Sequence, residues 1–513
     1  MAASAKADIV AQMLRRRWTC LAAFAVIFGT ACRSAQYFSN QSFWGDESFL
    51  ILNIRAKTPA QLLGSLTTTV AGNTVSAQTA PPLYLLSLKT LARAMGETEY
   101  AYRLPALLAG AIALVLMAIL TFKILRPPSA AIAVLLLALC DRLIDAAALV
   151  KQYSGDVAAA ILLTLLAVAK PTHRAAPRLL IVSLSGAILV WYSEPVVFIT
   201  GGIALALLPQ LLKETRGLRG VLLWLAGCLP AAVSFAAIFF LSMRYQQSPH
   251  LFEFWTDYFP DYHHLARVPL WLIKQIYTLF NYPYHPLGAI MLALAVWGIL
   301  RQKQSQLTAI LALPMLLTLI ASILHLYPFG GARVDFFLVP SVILLAAAGL
   351  PSPLISPCPG TPGEGRGGGL PTSQSSVLSP KHLLPLLLAS PMLLSGLIQA
   401  GYHLYLPRCS SHLRPALNFV RSHYQPNDTI VLTGGATWPV FYTYWPNPPV
   451  PVIVLSDGQT TTVTGRFWCL CEFAPGEYQK KRKPNIDLVA AGATAVAGNQ
   501  YLGKGGVAML FQK

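Results

Sequence analysis

Charged residues are scarce in this chain, and acidic residues are the scarcest. Only 11% of the 513 residues are charged, with 20 Asp and Glu against 38 Lys and Arg. Hydrophobic residues make up 55% of the sequence, and the mean hydropathy is +0.55. A soluble protein of this length cannot hide so much apolar surface in its interior. The composition therefore excludes an ordinary soluble enzyme and predicts a polytopic membrane protein.

Several common binding signals are also absent. Gly434-Gly435 follows a probable strand without the G-x-G-x-x-G pattern, so it is weak evidence for nucleotide binding. Cys469 and Cys471 alternate on another probable strand, which would strain a mutual disulfide and offers too few ligands for a metal. The net charge of +18 is spread over small basic clusters between apolar runs, so we expect no nucleic-acid partner.

About eleven apolar segments are candidates to cross a bilayer, which takes ~20 residues per helix. If the N-terminus is cytoplasmic, every short inside loop contains Lys or Arg, as the positive-inside rule requires. We therefore expect a multi-pass protein of the inner (plasma) membrane, surrounded by membrane lipids. The predicted spans run roughly over residues 18–31, 104–122, 130–150, 153–169, 179–192, 196–212, 221–241, 286–300, 307–326, 336–350 and 383–404.

The pattern divides the chain into four parts. Residues 1–350 form the predicted transmembrane module, with a long first outer loop over 33–103. Residues 351–381 are rich in Pro, Gly and Ser and are expected to be a flexible cytoplasmic linker, followed by a last span over 382–405. In 406–513, a helical pattern in "RPALNFVRSHYQP" and strands in "TIVLTGG", "PVIVLS" and "VAMLFQK" predict a small extracytoplasmic α/β domain.

Adjacent acids, Asp46 and Glu47, stand in the first outer loop, ahead of two stretches with helical amphipathic period. They are consistent with a helix N-cap and first-turn acid, or with chemistry at the membrane surface. Further polar residues are predicted on the same side, in the segments "PPLYLL", "EYAYRLP", "KQYSGD" and "YPFGGARVDFF". The residues of interest there are Pro82, Tyr84, Arg103, Lys151, Tyr153, Asp156 and Arg333.

The order D-E, P-P-L-Y, R-L-P, K-Q-Y-S-x-D and Y-P-F-G-G-x-R resembles the polytopic GT-C glycosyltransferases. The resemblance is strongest to bacterial relatives of protein O-mannosyltransferases and of the lipid A aminoarabinose transferase. It implies an enzyme of GT-C type that transfers a sugar from a polyprenyl-phosphate donor to an acceptor hydroxyl outside the cytoplasm. The acceptor stays open between lipid, protein and polysaccharide. Ala80 stands where several relatives have His or Lys, which leaves the sugar open too.

The resemblance also implies roles for the residues. Asp46 matches the general base, which takes the proton of the acceptor hydroxyl. Direct attack by that hydroxyl would invert the anomeric centre. Glu47 is expected to pair with Arg103 or with the acceptor. Lys151 and Arg333 are candidates to stabilise the leaving phosphate, although cations at span ends also simply reach toward the interface. Tyr153 and Asp156 are expected to share a helix face near Lys151. Pro82 and Tyr84 are expected to begin a helix and to pack within it.

The sequence leaves open a divalent metal and two alternative functions. No cofactor is predicted with certainty, and His263-His264 with Asp257 and Asp261 leave a divalent metal open, although exposed histidines are usually unoccupied. One alternative function is a transporter or flippase of lipid-linked saccharides, which should place charges near the bilayer midplane. Another is a non-catalytic scaffold for glycan assembly, which would tolerate the loss of Asp46.

Overall fold

A computed structural model describes most of the chain. The described residues are 2–75, 79–169, 174–215, 217–247, 253–301, 305–350, 380–409, 411–474, 482–503 and 505–513. The predicted linker lies outside the described residues over 351–379, so its role stays a prediction.

Long apolar helices form the first 350 residues. Among the described residues, five helical segments are long and apolar enough to cross a membrane: Arg15–Phe38, Glu99–Ile124, Val196–Glu214, Leu218–Gln246 and Gln306–Ile323. Four shorter apolar helices accompany them, Pro127–Ala138, Tyr153–Val168, Ala175–Leu189 and Gly288–Arg301. The chain is thus a polytopic helical membrane protein, while the count of eleven spans stays a prediction. The first of these segments belongs to the longer helix Ala2–Phe38, and further helices cover Val339–Ala348 and Pro380–Tyr405.

One predicted span is wrong, because residues 130–150 do not form a continuous helix. The helix Pro127–Ala138 ends, and a separate short helix covers Asp141–Ala146. The buried Arg33 side chain donates to the carbonyls of Leu137 and Ala138, at 3.2 and 3.1 Å. Carbonyls released by a broken helix need such partners where water is absent. Asp141 lies just after the break, and its carboxylate contacts His403 at 2.7 Å and Arg408 at 2.8 Å.

The first outer loop is less helical than predicted. Helices cover Gly45–Ala56 and Pro82–Met95, but a short 3₁₀ turn at Gln61–Leu63 and a hairpin lie between them. The hairpin pairs β1 (Thr68–Val70) with β2 (Asn73–Val75) through Ala71 and Gly72, both at positive φ. Such a two-residue turn suits the twist of paired strands. The helix Val268–Asn281 lies between the predicted spans 221–241 and 286–300, where no helix is predicted.

The C-terminal residues form a five-stranded sheet with helices Leu413–His423, Thr437–Tyr444 and Lys483–Val489. Its strands are β3 (Thr429–Thr433), β4 (Val452–Leu455), β5 (Arg466–Glu472), β6 (Thr494–Leu502) and β7 (Gly506–Gln512), in the order β4-β3-β5-β7-β6. Strand β3 runs parallel to β4 and β5, whereas β7 is antiparallel to β5 and β6. The carboxyl ends of the three parallel strands therefore meet at one edge. Cys469 and Cys471 are buried free thiols on β5.

That sheet packs on the first outer loop. Leu52 and Val75 of the loop belong to the same apolar cluster as Trp438 and Phe441 of the α/β segment. Apolar packing of this kind, rather than a flexible tether alone, fixes the position of a segment relative to its neighbour. The C-terminal segment is therefore a direct neighbour of the helix that begins at Gly45.

Candidate active site

Asp46 stands in the first turn of the helix Gly45–Ala56. The preceding residue Trp44 has an extended backbone, and the Glu47 carboxylate accepts its N–H at 3.2 Å. A carboxylate three residues into a helix that satisfies the N-cap amide is half of a capping box. Glu47 therefore caps the start of this helix, and this contact fixes the first helical turn, on which Asp46 lies.

Glu47 forms a buried ion pair with Arg103. The Arg103 guanidinium donates to both carboxylate oxygens, at 3.1 and 2.6 Å, and Glu47 is fully shielded from solvent. The Val150 N–H donates to the same carboxylate at 2.7 Å. Arg103 also donates to the carbonyls of Gln41 and Ser42. The first of the two predicted partners of Glu47 is the observed one, and its carboxylate has no room for an acceptor.

Asp46 instead faces Arg333. The Arg333 guanidinium donates to the Asp46 carboxylate at 3.2 Å, and both side chains keep about a third of their surface exposed, 32% for Asp46 and 33% for Arg333. The guanidinium also lies 5.0 Å from the centre of the Trp44 ring, a cation–π contact. The structure thus brings together an accessible carboxylate and an accessible cation from segments almost 300 residues apart (287 positions).

Arg333 is held in place by a loop that favours glycine. Gly330 and Gly331 have φ of 121° and 81°, which other residues rarely adopt. The buried Asp335 carboxylate accepts the N–H groups of Gly330, Gly331 and Ala332, at 3.0, 3.1 and 3.2 Å. Asp335 was not among the predicted site residues. The signal that could have found it is an acid four residues after two adjacent glycines in "FGGARVDFF".

Lys151 is the second cation of the site. It follows Val150, whose amide binds Glu47, and it is 5% exposed. Burial lowers its pKa, whereas the neighbouring Asp46 raises it and Arg333 lowers it further. Lys151 is therefore within electrostatic reach of both groups. Tyr153, two residues later, packs edge-on against Phe336 at 5.6 Å and also lies within reach of Arg333 and Asp46.

The supporting residues are divided between this site and the protein interior. Asp156 is buried on the same helix as Tyr153 and lies close to Ser193 and Glu194, and a shared face near Lys151 stays a prediction. Tyr84 is also buried and meets the Tyr192 ring edge-on at 5.7 Å. Pro82 begins the helix Pro82–Met95, as expected of a proline at the first helical position.

A polar cleft of about 290 Å³ opens next to the Gly330-Gly331 loop. Arg142, Lys274 and Asp257 lie in its wall, and Arg142 stacks on Tyr282 at 5.5 Å. Sequence reasoning missed Arg142, because it assigned residues 130–150 to one apolar span. Two basic side chains beside the Arg333 loop extend the positive potential of the site toward this cleft.

The part of the chain that the structure describes contains no candidate site for the divalent metal that the sequence left open. No group of three or more His, Cys, Asp or Glu side chains that could hold an ion occurs among those residues. His264 Nδ1 instead lies 2.7 Å from the Asp261 carboxylate, and both side chains are exposed. Asp257 lines the polar cleft.

Glu472, the last residue of β5, was not predicted either. Burial raises its pKa to about 8, while the Ser411 hydroxyl, the Gly45 N–H and Arg482 lower it and Asp46 raises it. Between pH 4.5 and 8 the folded protein therefore keeps a proton that the unfolded chain has lost, which lowers folded-state stability as pH rises through that window.

We expect the thermal midpoint of the detergent-purified protein to fall from pH 5 to pH 8. Glu472→Gln, which cannot ionise, should flatten this fall. An unchanged slope in the variant would contradict the assignment.

The comparisons with known proteins complete the description. No protein-family model matches the chain. No curated protein matches it either. Among solved structures it is similar to ArnT from Cupriavidus metallidurans bound to undecaprenyl phosphate, with 12% identity, a TM-score of 0.47 and coverage of 95% of this chain and 98% of that one.

It is also similar to the oligosaccharyltransferase AglB from Archaeoglobus fulgidus in complex with an inhibitory peptide and a dolichol-phosphate. There the identity is 11%, the TM-score is 0.46, and the coverage is 84% of this chain and 64% of that one. A complex of the Archaeoglobus enzyme with Zn and sulfate gives 11% identity, a TM-score of 0.47 and coverage of 94% and 72%. Both proteins are members of the GT-C superfamily, the group that the sequence motifs resemble.

Proposed function

We propose that this protein is a membrane glycosyltransferase that moves a sugar from a polyprenyl-phosphate donor to an acceptor hydroxyl on the extracytoplasmic face. The observation that carries the proposal is the contact of Asp46 with Arg333, at 3.2 Å, beside the buried cation Lys151. An accessible carboxylate next to two cations suits a reaction that removes a proton while a phosphate departs. The donor class follows from the motifs that resemble GT-C enzymes.

The chemistry assigns one task to each group. Asp46 takes the proton of the acceptor hydroxyl as its oxygen forms a bond to the anomeric carbon. On the opposite face the bond between that carbon and the phosphate oxygen breaks, and the lipid phosphate leaves with the bonding electrons. Arg333 and Lys151 stabilise the growing negative charge, Arg333 as a planar donor and Lys151 as a point charge. A single displacement of this kind inverts the anomeric centre.

The resting contact between Asp46 and Arg333 has a consequence for the order of events. While Arg333 donates to the Asp46 carboxylate, that side of the carboxylate is occupied and is not open to an acceptor hydroxyl. A donor phosphate gives Arg333 a second anionic partner, since the phosphodiester carries one negative charge and the phosphate monoester that leaves carries up to two. Donor binding would therefore release Asp46 for proton abstraction once the leaving group is in place.

The transporter alternative fits the geometry less well. Asp46, Lys151 and Arg333 lie at the start of a helix, in a turn and in a 3₁₀ segment, and Asp46 and Arg333 are partly exposed. A transporter is expected to place its charges near the membrane midplane on interrupted helices. The helix interrupted before Asp141 carries an acid, but that acid already contacts His403 and Arg408.

Mass spectrometry of cells with and without the gene tests the proposal. We expect the deleted strain to accumulate a polyprenyl-phosphate sugar and to lose one sugar residue from a surface product. Complementation with the wild-type gene should restore both signals. Unchanged donor and product pools would contradict the enzyme, and accumulation of the donor on the cytoplasmic face alone would favour the flippase.

Arg333→Ala should weaken donor binding and turnover together. The guanidinium contacts a phosphate whose charge grows as the bond breaks, and removing one such electrostatic contact costs about 10² to 10³ in rate. Transfer from a polyprenyl-phosphate sugar in purified membranes measures this effect, with donor concentration varied. Arg333→Lys keeps the charge but not the planar fork, so it should recover only part of the loss.

The matched control is Arg301→Ala, which removes an exposed arginine at the end of the helix Gly288–Arg301. It should leave donor dependence unchanged. If Arg333→Ala instead lowers the rate without any change in donor dependence, the phosphate binds elsewhere.

A further inference from the structure

The loop that leads into Asp46 is held from one side by the C-terminal segment. The Ser42 N–H donates to His412 Nδ1 at 3.0 Å, and the Arg414 N–H donates to the Ser42 hydroxyl at 3.0 Å. On the far side of Asp46, the Arg55 guanidinium donates to the Thr443 carbonyl at 2.6 Å, and the Phe49 and Trp438 rings meet edge-on at 5.7 Å. The C-terminal segment thus contacts the polypeptide both before and after the proposed base.

Tyr444 is the central residue of this contact. Its hydroxyl accepts the Phe43 N–H at 2.7 Å and donates to the Glu99 carboxylate at 2.6 Å. Its ring also stacks on Phe43, with the centres 5.8 Å apart. One hydroxyl therefore ties together the backbone three residues before Asp46, the start of the helix Glu99–Ile124 and the C-terminal helix Thr437–Tyr444. Glu99 is fixed in turn by an ion pair with Arg414.

The two parts also approach closely at the residue next to Asp46. A Cβ built on Gly45 would lie 2.8 Å from the Cβ of Ala436, which is closer than side chains tolerate. Glu472 is buried at the end of β5 and lies within electrostatic reach of Asp46. The carboxyl edge of the parallel strands β3 and β5 therefore forms a wall beside the proposed base. Ligand and active sites commonly lie at this edge of an α/β sheet.

We propose that the C-terminal α/β domain is a working part of the reaction centre and that Tyr444 is a positioning residue, which holds the Phe43–Asp46 segment through its hydroxyl. This inference rests on the proposed function, because it assigns a purpose to the orientation of Asp46. It goes beyond that function in making the domain necessary for turnover rather than for recognition of a partner. A general base works only within hydrogen-bond reach of its proton, so small displacements of this segment should appear in the rate.

Tyr444→Phe is the sharpest test, because it removes one oxygen atom and keeps the ring. We expect kcat to fall about tenfold to a hundredfold, as misplacement of a reacting group by about 1 Å does. The donor KM should stay within about twofold, since the phosphate contacts of Arg333 and Lys151 lie on other segments. Steady-state transfer in purified membranes, with the amount of inserted protein matched, gives both constants.

Tyr442→Phe is the matched control. Tyr442 is a buried tyrosine on the same helix, two residues away, and removing its hydroxyl should leave kcat and KM unchanged. If Tyr444→Phe keeps the wild-type kcat, or if both variants lose activity equally, Tyr444 has only a packing role and the inference is wrong. Failure of the proposed function looks different, because the wild-type protein itself would then show no transfer.

Discussion

Asp46→Asn is expected to lower the rate of sugar transfer by about 10² to 10⁴, the usual cost of losing a general base. The amide has the size of the carboxylate and can still accept a hydrogen bond from Arg333, so the local structure should persist. What it cannot do is take the acceptor proton. Donor binding should stay near the wild-type value, or improve slightly, because Arg333 is no longer paired with a negative charge.

The measurement is transfer from a polyprenyl-phosphate sugar in purified membranes, accompanied by donor binding to the same preparation. Asp487→Asn serves as the control, since Asp487 is an exposed acid of the C-terminal segment that pairs with Lys483. It should transfer at the wild-type rate. Full activity of Asp46→Asn, with transfer still dependent on Arg333, would mean that Asp46 is a first-turn helix acid and that the base lies elsewhere.

Sequence alone could select the residues that meet at this site, because their positions follow from simple rules. Asp46, Lys151 and Arg333 each flank an apolar segment on the same predicted side. Placing the segments in a membrane therefore brings the three side chains to one level. The strands β3, β4 and β7 were equally accessible to prediction, since each is a short apolar run bounded by turn residues.

Tertiary contacts decided the features that sequence could not predict. The apolar run 130–150 reads as one span, yet it breaks where the buried Arg33 supplies donors to the carbonyls of Leu137 and Ala138. No local pattern connects a residue with carbonyls more than 100 positions away. Tyr444 illustrates the same limit, because its role depends on Phe43 and Glu99, more than 300 positions earlier in the chain.

The buried pair of Glu47 and Arg103 should show the largest effect on stability. Glu47→Ala leaves the Arg103 guanidinium without its carboxylate in a site shielded from water, which typically costs about 3 to 5 kcal/mol. Arg103→Ala leaves the carboxylate unpaired and also releases the Gln41 and Ser42 carbonyls. Both single variants should therefore insert poorly or unfold at lower temperature in detergent. The exposed pair of Lys483 and Asp487 is the control, since removing an ion pair of that kind costs less than about 1 kcal/mol.

The double variant Glu47→Ala/Arg103→Ala separates the two contributions to this loss. If the single variants are unstable because each strands a buried charge, the double variant should be less destabilised than the sum of both, since neither charge remains. It should nevertheless stay inactive, because the Trp44 and Val150 amides that Glu47 binds would no longer fix the segments on which Asp46 and Lys151 lie. A double variant that recovers both stability and transfer would show that the pair only balances charge. One as unstable as the sum would show that the two residues act independently, despite their 2.6 Å contact.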